Sequence, residues 1–508
     1  MRVFWISVAA IVSFWSTSHA QTVDWARVHE TTVRGLDRLY NLDIDQALAT
    51  FDTVRTLAPT DPRGHFFHCL THFYLYGLNR QQSDLQQFFD ESEQVIEVCE
   101  RLVDQDERNA SARFYLGGIL GYRGIAHQTG GSLLKAVKDG REGYFLLEEA
   151  VHLDPQLYDA HMGFGLFRYL VAKVPRSMSW ILSILGFSGD REGGLASLKL
   201  AADKGLYTRT EAGLFYAQFM FSEGRQDTAL IYLEQLRARH PENTLFIVLY
   251  AAWQRQLNNL DEAQTAALHA IELNKIKGMR HGEELAYSTL GSIYYSKNEF
   301  SLARENYLLY MQKTQVKERT PNMTYFRAGL ACEIAGDRAG AVELYRQMKE
   351  VDDSERQRER YQYRRAQELI RQPLSEPDMI LIKAENEFSR KRYDRALALY
   401  GNAFQTAGGD ARIRALYGIQ QTYYELGRHA DCIELCAELL ALTPVSETWI
   451  IPYARFKKAQ ALEKLGRIPE ALTELEAIQG YDEYDFQNGL ERRTEEEIKR
   501  LRGEPTGG

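Results

Sequence analysis

The sequence predicts an all-α fold, a right-handed superhelical solenoid of about eleven repeated pairs of antiparallel helices. Small residues and aromatic residues recur with a period of about 34 residues over most of the chain. Only 12 of the 508 residues are proline, so long uninterrupted helices are permitted. The chain also has 29 tyrosines, a side chain that helical repeats use as a spacer between helices.

The clearest repeat is residues 287–310, YSTLGSIYYSKNEFSLARENYLLY. Its first half has the pattern aromatic-x2-Leu-Gly-x2-Tyr, which is the tetratricopeptide signature. We interpret Gly291 and Ala303 as small because the two helices of the pair cross closely there. Tyr294 and Tyr307 would fill the space around that crossing. One pair cannot bury its own apolar face, so neighbouring pairs must stack on it.

Residues 1–20 resemble a signal peptide, with Arg2 as a minimal positive region followed by the apolar run Val3–Phe14. Cleavage after Ala20 would make Gln21 the first residue of the mature protein. The alternative is an uncleaved anchor, but the apolar run is short for a membrane span. We therefore expect an exported protein, periplasmic or outer-membrane-associated in a bacterium.

The remainder of the chain is expected to divide at changes in the repeat period. The expected segments are 21–206 with irregular repeats and insertions at 125–140 and 174–189, 207–355 with a regular array, 356–376 with a charged connector, 377–487 with a C-terminal array, and 488–508 with a capping helix and a disordered tail. A polar terminal helix is what a solenoid needs to shield its last open face.

The irregular part carries a narrower resemblance. Residues 163–167 read Gly-Phe-Gly-Leu-Phe, a proline-initiated apolar segment spans 175–185, and Gly-Phe-Ser-Gly-Asp-Arg follows at 186–191. These features resemble the tetratricopeptide repeat protein 39 family, which includes the fungal inclusion-body clearance protein, over about residues 30–350. The resemblance implies an all-helical adaptor with no catalytic residues. The family's eukaryotic location is not carried over, because this chain has a secretion signal.

The second insertion is the strongest candidate for a functional surface. Residues 177–187, SMSWILSILGF, hold too many apolar side chains for one face of a short exposed helix. They either plug the inner surface of the superhelix or contact a partner or a membrane surface. We predict a helix over 174–187 that folds back against the array. The candidate contact residues are Met178, Trp180, Ile181, Leu182, Ile184 and Leu185.

Three histidines could suggest metal chemistry. His65, His68 and His72 share one face of a predicted helix and could bind a transition metal ion through imidazole nitrogens. No Asp or Glu on that face completes a ligand set, so we interpret them as packing residues and expect no metal.

Two other motifs favour structural roles. Ser188 does not lie in a Gly-x-Ser-x-Gly nucleophile elbow, because a glycine follows it directly. The arginines at 356, 358, 360, 364, 365 and 371 alternate with glutamates, which suits ion pairs on a solvated helix. A docking patch for an acidic partner is the alternative interpretation of that run.

The five cysteines do not form a disulfide or zinc pattern, since their number is odd and no Cys-x-x-Cys occurs. Cys69 and Cys99 lie on partner helices and could pair in an oxidising compartment. Cys432 and Cys436 occupy positions that other repeats give to packing residues.

The expected function is that of a non-enzymatic secreted scaffold, which binds a protein or peptide partner in its concave groove. The alternative is a membrane- or lipid-associated adaptor that uses insertion 174–187. We expect no cofactor and no small-molecule substrate. The formal net charge of −9 gives no whole-chain basic footprint for nucleic acid.

Overall fold

The structure is a computed structural model, and it describes residues 23–174, 187, 189–278, 282–314, 320–351 and 356–504. These residues form 24 α-helices and no strand, so the prediction of an all-α repeat fold is confirmed. The chain divides into two compact units. The N-terminal unit comprises Met1–Gly77 and Gln81–Tyr232, and the C-terminal unit comprises Leu78–Arg80 and Leu233–Gly508.

Ten helices begin before the division between the units, which falls inside the tenth of them. They are α1 Trp25–Tyr40, α2 Ile44–Leu57, α3 Pro62–Asn79, α4 Gln82–Gln105, α5 Ala110–Thr129, α6 Leu133–Leu153, α7 Ala160–Ala172, α8 Arg191–Lys204, α9 Arg209–Ser222 and α10 Gln226–Arg239.

The C-terminal unit contains the remaining fourteen helices. They are α11 Thr244–Gln256, α12 Leu260–Lys277, α13 Glu283–Ser296, α14 Phe300–Lys313, α15 Asn322–Ile334, α16 Arg338–Arg346, α17 Gln357–Arg371, α18 Glu376–Ser389, α19 Tyr393–Thr406, α20 Gly409–Glu425, α21 His429–Leu440, α22 Ile450–Lys464, α23 Ile468–Ile478 and α24 Gln487–Arg502.

Among the described helices, 22 form eleven antiparallel pairs, as the repeat pattern predicts. The other two are α17, which separates two pairs, and α24, which ends the array. In the C-terminal unit α11 and α13 each contact their own second helix and the first helix of the next pair, whereas α15 contacts its own second helix and α17. The first helices therefore build one continuous face.

A small residue facing an aromatic ring fixes the crossing within several pairs. A Cβ on Gly291 would lie 2.7 Å from the ring of Tyr307, and one on Gly329 would lie 2.3 Å from the ring of Tyr345. Both rings are fully buried, as is Ala303. Any side chain at these glycines would push the helices apart, because the interior is close-packed.

The turns inside the pairs need a left-handed backbone. Gly224 and Gly336 have φ of 75° and 86°, values that glycine adopts without a Cβ penalty. Asn298 takes the same role with φ of 64°, and asparagine tolerates this region better than most residues.

Three helix N-termini in the C-terminal part are capped by side chains. Asn243 accepts the N–H of Phe246 at 3.1 Å, and Ser375 with Asp378 forms a capping box. These caps satisfy donors that the first turn of a helix leaves free. Asp337 caps α16 in the same way at 2.9 Å.

Two segments differ from their sequence interpretation. The 125–140 insertion is helical: α5 continues to Thr129 and α6 begins at Leu133, so the two helices form one lengthened hairpin. The charged connector contains helix α17, whose side chains also make long-range contacts described below. Across the described residues, no helix is both long enough and apolar enough to cross a membrane.

Candidate functional site

The contact residues predicted in the second insertion lie outside the described residues. These are Met178, Trp180, Ile181, Leu182, Ile184 and Leu185, together with residues 175–186 of the helix expected over 174–187. The insertion's far end is described: the ring of Phe187 lies 4.7 Å from that of Phe167 and 5.8 Å from that of Tyr144. The chain therefore leaves the insertion packed on α6 and α7.

The first helices of the N-terminal unit meet around one buried carboxylate. Glu211 on α9 accepts hydrogen bonds from the hydroxyls of Tyr74 on α3 and Tyr122 on α5, the latter at 2.5 Å. Burial raises the pKa of Glu211, and the hydrogen bonds from Tyr122, Tyr74 and Tyr40 act in the opposite direction. The carboxylate ties together helices that are far apart in sequence.

A second cluster closes the same unit near its start. Tyr207 accepts or donates a hydrogen bond with His29 Nδ1 at 2.8 Å and accepts one from Arg63 Nη1 at 3.3 Å. Arg63 is held in turn by Asp61 at 2.7 Å. As in the Glu211 cluster, these polar groups are paired with one another within the unit.

In the C-terminal unit, helix α17 makes comparable contacts. Tyr361 donates to Glu447 at 3.0 Å, and Arg364 pairs with Asp485 at 2.5 Å. The expected local pairs are present, for example Arg365 with Glu368 at 2.6 Å. The local ion pairs are thus as expected, and Arg364 and Arg365 have a second acidic partner each, Asp485 and Glu447, from distant parts of the same unit.

The face formed by α11, α13 and α15 carries two arginines that lie near each other. Arg255 on α11 and Arg327 on α15 are close enough to repel each other, with Tyr295 of α13 between the two helices. The guanidinium carbon of Arg327 lies 5.6 Å from the centre of the Tyr295 ring. Burial lowers the pKa of Arg255, and the positive charge of Arg327 lowers it further.

No carboxylate in the described ranges forms an ion pair with Arg255 or Arg327. By contrast, Arg414 in the same unit pairs with Asp378 at 3.1 Å and Glu385 at 3.0 Å. Two half-buried like charges without a carboxylate are costly, since buried charges are normally paired. An anionic ligand would supply the missing negative charge.

Two hydroxyls extend this positive surface. Tyr307 and Ser292 form a hydrogen bond of 3.1 Å, and Tyr307 also interacts with the Arg327 guanidinium. Tyr307 is fully buried, which raises its pKa, so its hydroxyl stays protonated and supports Ser292 and Arg327 from within the protein. We define the Arg255 site as Arg255, Ser292, Tyr295, Tyr307 and Arg327. It offers hydrogen-bond donors and positive charge, which suits a carboxylate.

The histidines are placed differently from their sequence interpretation. His65 turns away, with Nε2 at 3.0 Å from the carbonyl of Pro59. His68 Nδ1 lies 2.7 Å from Glu91, and His72 Nε2 lies 3.6 Å from it. The acidic residue that appeared to be missing comes from the neighbouring helix α4.

The protonation states in this cluster follow from burial and hydrogen bonding. Burial lowers the pKa of His72 by more than the negative charge of Glu91 raises it. Burial alone would raise the pKa of Glu91, but hydrogen bonds from His68 and Gln87 outweigh it and lower that pKa.

All five cysteines are buried as free thiols. Cys69 donates to the carbonyl of Phe88 at 3.3 Å, so the possible pairing of Cys69 with Cys99 is absent. Burial raises the pKa of Cys432 to about 12, which keeps it an unreactive thiol.

The lengthened α5–α6 hairpin exposes apolar side chains at its tip. Leu134 is 88% exposed and Leu133 67% exposed, and Val137 lies on the same turn of α6. Lys135 and Lys138 flank them and are also exposed. Apolar side chains mixed with basic ones are typical of surfaces that contact anionic membranes.

Comparison with known proteins agrees with the repeat architecture. Residues 159–389 match the model of the Iml2/Tetratricopeptide repeat protein 39 family. The match begins later and ends later than the resemblance drawn from sequence motifs, which covers about residues 30–350. The chain is a tetratricopeptide-repeat protein that resembles this family.

The solved structures that match this chain are distant in sequence. Yeast Tom70 is 14% identical, covering 94% of this chain and 96% of that chain with a TM-score of 0.27. Human IFIT1 bound to PPP-AAAA is 14% identical, covering 90% of this chain and 95% of that chain with a TM-score of 0.36. A tetratricopeptide repeat protein from Parabacteroides merdae is 13% identical, covering 58% and 98% respectively with a TM-score of 0.25.

Proposed function

We propose that this chain is an exported, non-enzymatic scaffold that binds an acidic peptide segment of a partner protein at the Arg255 site. Repeat folds of this class serve protein–protein interaction, and their first helices line the binding groove. The observation that carries the proposal is the pair of half-buried guanidiniums, Arg255 and Arg327, for which the described chain provides no carboxylate.

The other polar clusters of the chain are less suited to bind an acidic peptide than the Arg255 site. In the N-terminal unit, Glu211 is already satisfied by tyrosine hydroxyls. Around α17, Glu447 and Asp485 are satisfied by Tyr361 and Arg364. A ligand there would have to displace an existing hydrogen bond, whereas a carboxylate at the Arg255 site forms new charge-assisted bonds without breaking an ion pair.

Selection of peptide ligands tests this proposal without knowledge of the partner. Random peptides displayed on phage are selected on the immobilised mature chain, and the winners are then measured by fluorescence anisotropy. We expect enrichment in Asp and Glu and affinity that falls as salt is raised. Each charge-assisted hydrogen bond contributes about 1.5–3 kcal/mol, so Arg255→Gln should weaken binding by roughly 10-fold or more.

The matched control is Arg467→Gln. Arg467 is an exposed arginine of the same unit whose acidic partner among the described residues is the neighbouring Glu470, at 2.5 Å. It should leave peptide affinity unchanged. Selected peptides without acidic residues, or affinity that survives the combined Arg255→Gln and Arg327→Gln change, would contradict the proposal.

The second candidate function is membrane association through the N-terminal unit. The exposed Leu133, Leu134 and Val137 favour it, together with the basic Lys135 and Lys138. The apolar insertion 174–187, the surface proposed from the sequence, also ends on α6, where Phe187 lies 6.4 Å from Phe145.

Liposome flotation of the mature chain separates the two functions. Membrane association predicts that the protein floats with vesicles containing anionic lipid, and that Leu133→Asp with Leu134→Asp abolishes flotation. The pair Trp180→Asp and Leu182→Asp should do the same if the insertion takes part. Scaffold function alone predicts that wild type stays at the bottom of the gradient.

Export is tested on its own. Fractionation should recover the protein outside the cytoplasm with Gln21 as its first residue, because the leader has the three regions of a signal peptide. N-terminal sequencing that returns Met1 from a cytosolic pool would rule it out.

A further inference from the structure

We propose that His68, His72 and Glu91 form a binding site for a divalent transition metal ion such as Zn²⁺. One ligand atom from each residue lies within 4.8 Å of the other two. All three side chains are largely buried, with 11%, 15% and 14% of their surface exposed. The site is in the N-terminal unit and is independent of the proposed peptide function.

Helix geometry brings the ligands together. His68 and His72 are one turn apart on α3, so both imidazoles point to the same side of the helix. Glu91 reaches them from α4. Neither helix contains the whole set, which is why spacing within α3 shows only two of the three ligands.

The distances suit a metal ion after a small adjustment. Zn²⁺ holds nitrogen and oxygen ligands at about 2.0–2.2 Å, which places adjacent ligands of a tetrahedral ion about 3.4 Å apart. His72 Nε2 is 3.6 Å from Glu91 Oε1, and His68 Nδ1 is 2.7 Å from Glu91 Oε2. The two distances go to different oxygens of Glu91, so a carboxylate that ligates through one oxygen has to rotate until that oxygen faces both imidazoles, and His68 Nδ1 has to withdraw from Glu91 by roughly 0.7 Å.

Neighbouring groups can orient the ligands. Asp52 Oδ1 lies 3.6 Å from His68 Nε2, on the side of the ring away from Glu91. A proton on Nε2 that points to Asp52 leaves the Nδ1 lone pair for the metal ion, the arrangement in which a carboxylate fixes a ligating histidine. Gln87 Nε2 donates to Glu91 Oε1 at 2.9 Å and positions that carboxylate.

The proton balance is straightforward. In the metal-free protein the proton shared by His68 Nδ1 and Glu91 is replaced by the ion. If His68 is a neutral imidazole, its Nδ1 proton moves to Nε2, which faces Asp52; if it is an imidazolium already protonated at Nε2, the Nδ1 proton is released to solvent. When His72 ligates through Nε2 its proton sits on Nδ1, which is buried without an acceptor among the described residues, so Nε2, 3.6 Å from Glu91 Oε1, is the nitrogen that faces the ion.

The donor set determines which ions fit. Two imidazoles and one carboxylate favour Zn²⁺, Co²⁺ or Ni²⁺ over Ca²⁺ and Mg²⁺, which prefer oxygen ligands throughout. Three protein ligands leave a fourth position for water or an outside ligand. Cys69 does not add a ligand, because its thiol donates to the carbonyl of Phe88.

The test is metal titration of the full mature chain after chelator treatment. We expect one Zn²⁺ per chain by calorimetry at this site, and visible absorption of bound Co²⁺ typical of nitrogen and oxygen ligands. His72→Gln should weaken Zn²⁺ binding at least 100-fold. Asp52→Asn, which changes only the orienting carboxylate, should weaken it by about 10- to 100-fold.

Two further variants keep the result interpretable. Glu91→Gln retains a hydrogen-bond acceptor for His68, so the unit should fold, as circular dichroism will show, yet lose the ion. His65→Gln changes the third histidine of α3, which faces Pro59, and should bind Zn²⁺ as wild type does. Absence of Zn²⁺ binding to wild type, or binding that survives His72→Gln or Glu91→Gln, would overturn the proposal.

Discussion

The crossing of α5 and α6 allows a quantitative test of how this repeat is packed. A Cβ built on Gly143 would lie 2.7 Å from the backbone oxygen of Gly117 and 2.9 Å from the backbone nitrogen of Gly121. Real Cβ atoms do not approach so closely, and backbone atoms cannot rotate away. Gly143→Ala should therefore separate the two helices.

The same helix provides its own control. Gly140 lies one turn earlier on α6, and a Cβ there would meet nothing within 4 Å. Replacing glycine by alanine inside a helix gains about 1 kcal/mol. Overpacking costs about 1–3 kcal/mol, and the rigid contacts at Gly143 indicate the upper end. Gly143→Ala should then destabilise by about 2 kcal/mol, and Gly140→Ala should stabilise by about 0.5–1 kcal/mol.

Urea unfolding followed by circular dichroism measures both variants. Because repeat arrays can unfold in parts, amide hydrogen exchange in α5 and α6 should be recorded as well. Protection of both helices should fall in Gly143→Ala and hold or rise in Gly140→Ala. If Gly143→Ala is as stable as Gly140→Ala, the close backbone contact does not exist as described.

The remaining predictions concern charge and turn geometry. Burial raises the pKa of Glu211, so the native state keeps this proton to higher pH than the unfolded chain, and the N-terminal unit should lose stability as pH rises above about 4.3. Glu211→Gln should remove that slope in urea titrations from pH 4 to 7; an unchanged slope would show that another group causes it. Arg255→Met should raise the melting temperature of the C-terminal unit while abolishing peptide binding, because it relieves repulsion with Arg327; a lowered melting temperature would mean that Arg255 has a stabilising partner. Gly336→Ala should cost about 1 kcal/mol in urea unfolding, since φ there is 86° and its Cβ would meet no neighbour; no loss would mean that the turn adapts.

The fold could be predicted from sequence because its determinants are local. Gly291 and Tyr307, or Gly329 and Tyr345, recur at one spacing, and each pair meets within a single helical hairpin. The turn glycine 336 marks the boundary between two helices in the same way. The eleven helix pairs are predictable because the same short-range spacing of small and aromatic residues recurs along the chain.

The candidate sites could not be predicted in this way, because their residues come from different helices. Arg255 and Arg327 each look like an ordinary helical arginine, and only side-by-side packing of first helices brings their charges together. One signal was present: Arg255 follows Ala251 by four positions, as Tyr295 follows Gly291. Aligning repeats on their small residue would have placed Arg255 and Tyr295 on the same face, but not Arg327, which precedes Gly329 by two positions.

The histidine cluster shows the same limit. His68 and His72 share a face of α3 by simple helical periodicity, so their proximity is predictable. Glu91 meets them only because of the exact register between α3 and α4, which depends on the length of the intervening turn and the packing of Phe88. Nothing in the local sequence specifies that register.

The polar clusters in this chain separate into two physical classes. Around Glu211 and Glu447, tyrosine hydroxyls satisfy the buried carboxylates, so these clusters hold distant helices together and have no unmet demand. Arg255 and Arg327 lack a counter-charge, since these two positive charges lie together without a carboxylate in the described chain. Buried polar groups that have hydrogen-bond partners stabilise the fold. A pair of like charges without a counter-charge lowers the free energy of unfolding, and such a pair is retained where a ligand supplies the counter-charge. The free energy of unfolding should therefore rise with added acidic peptide in wild type, but not in Arg255→Met.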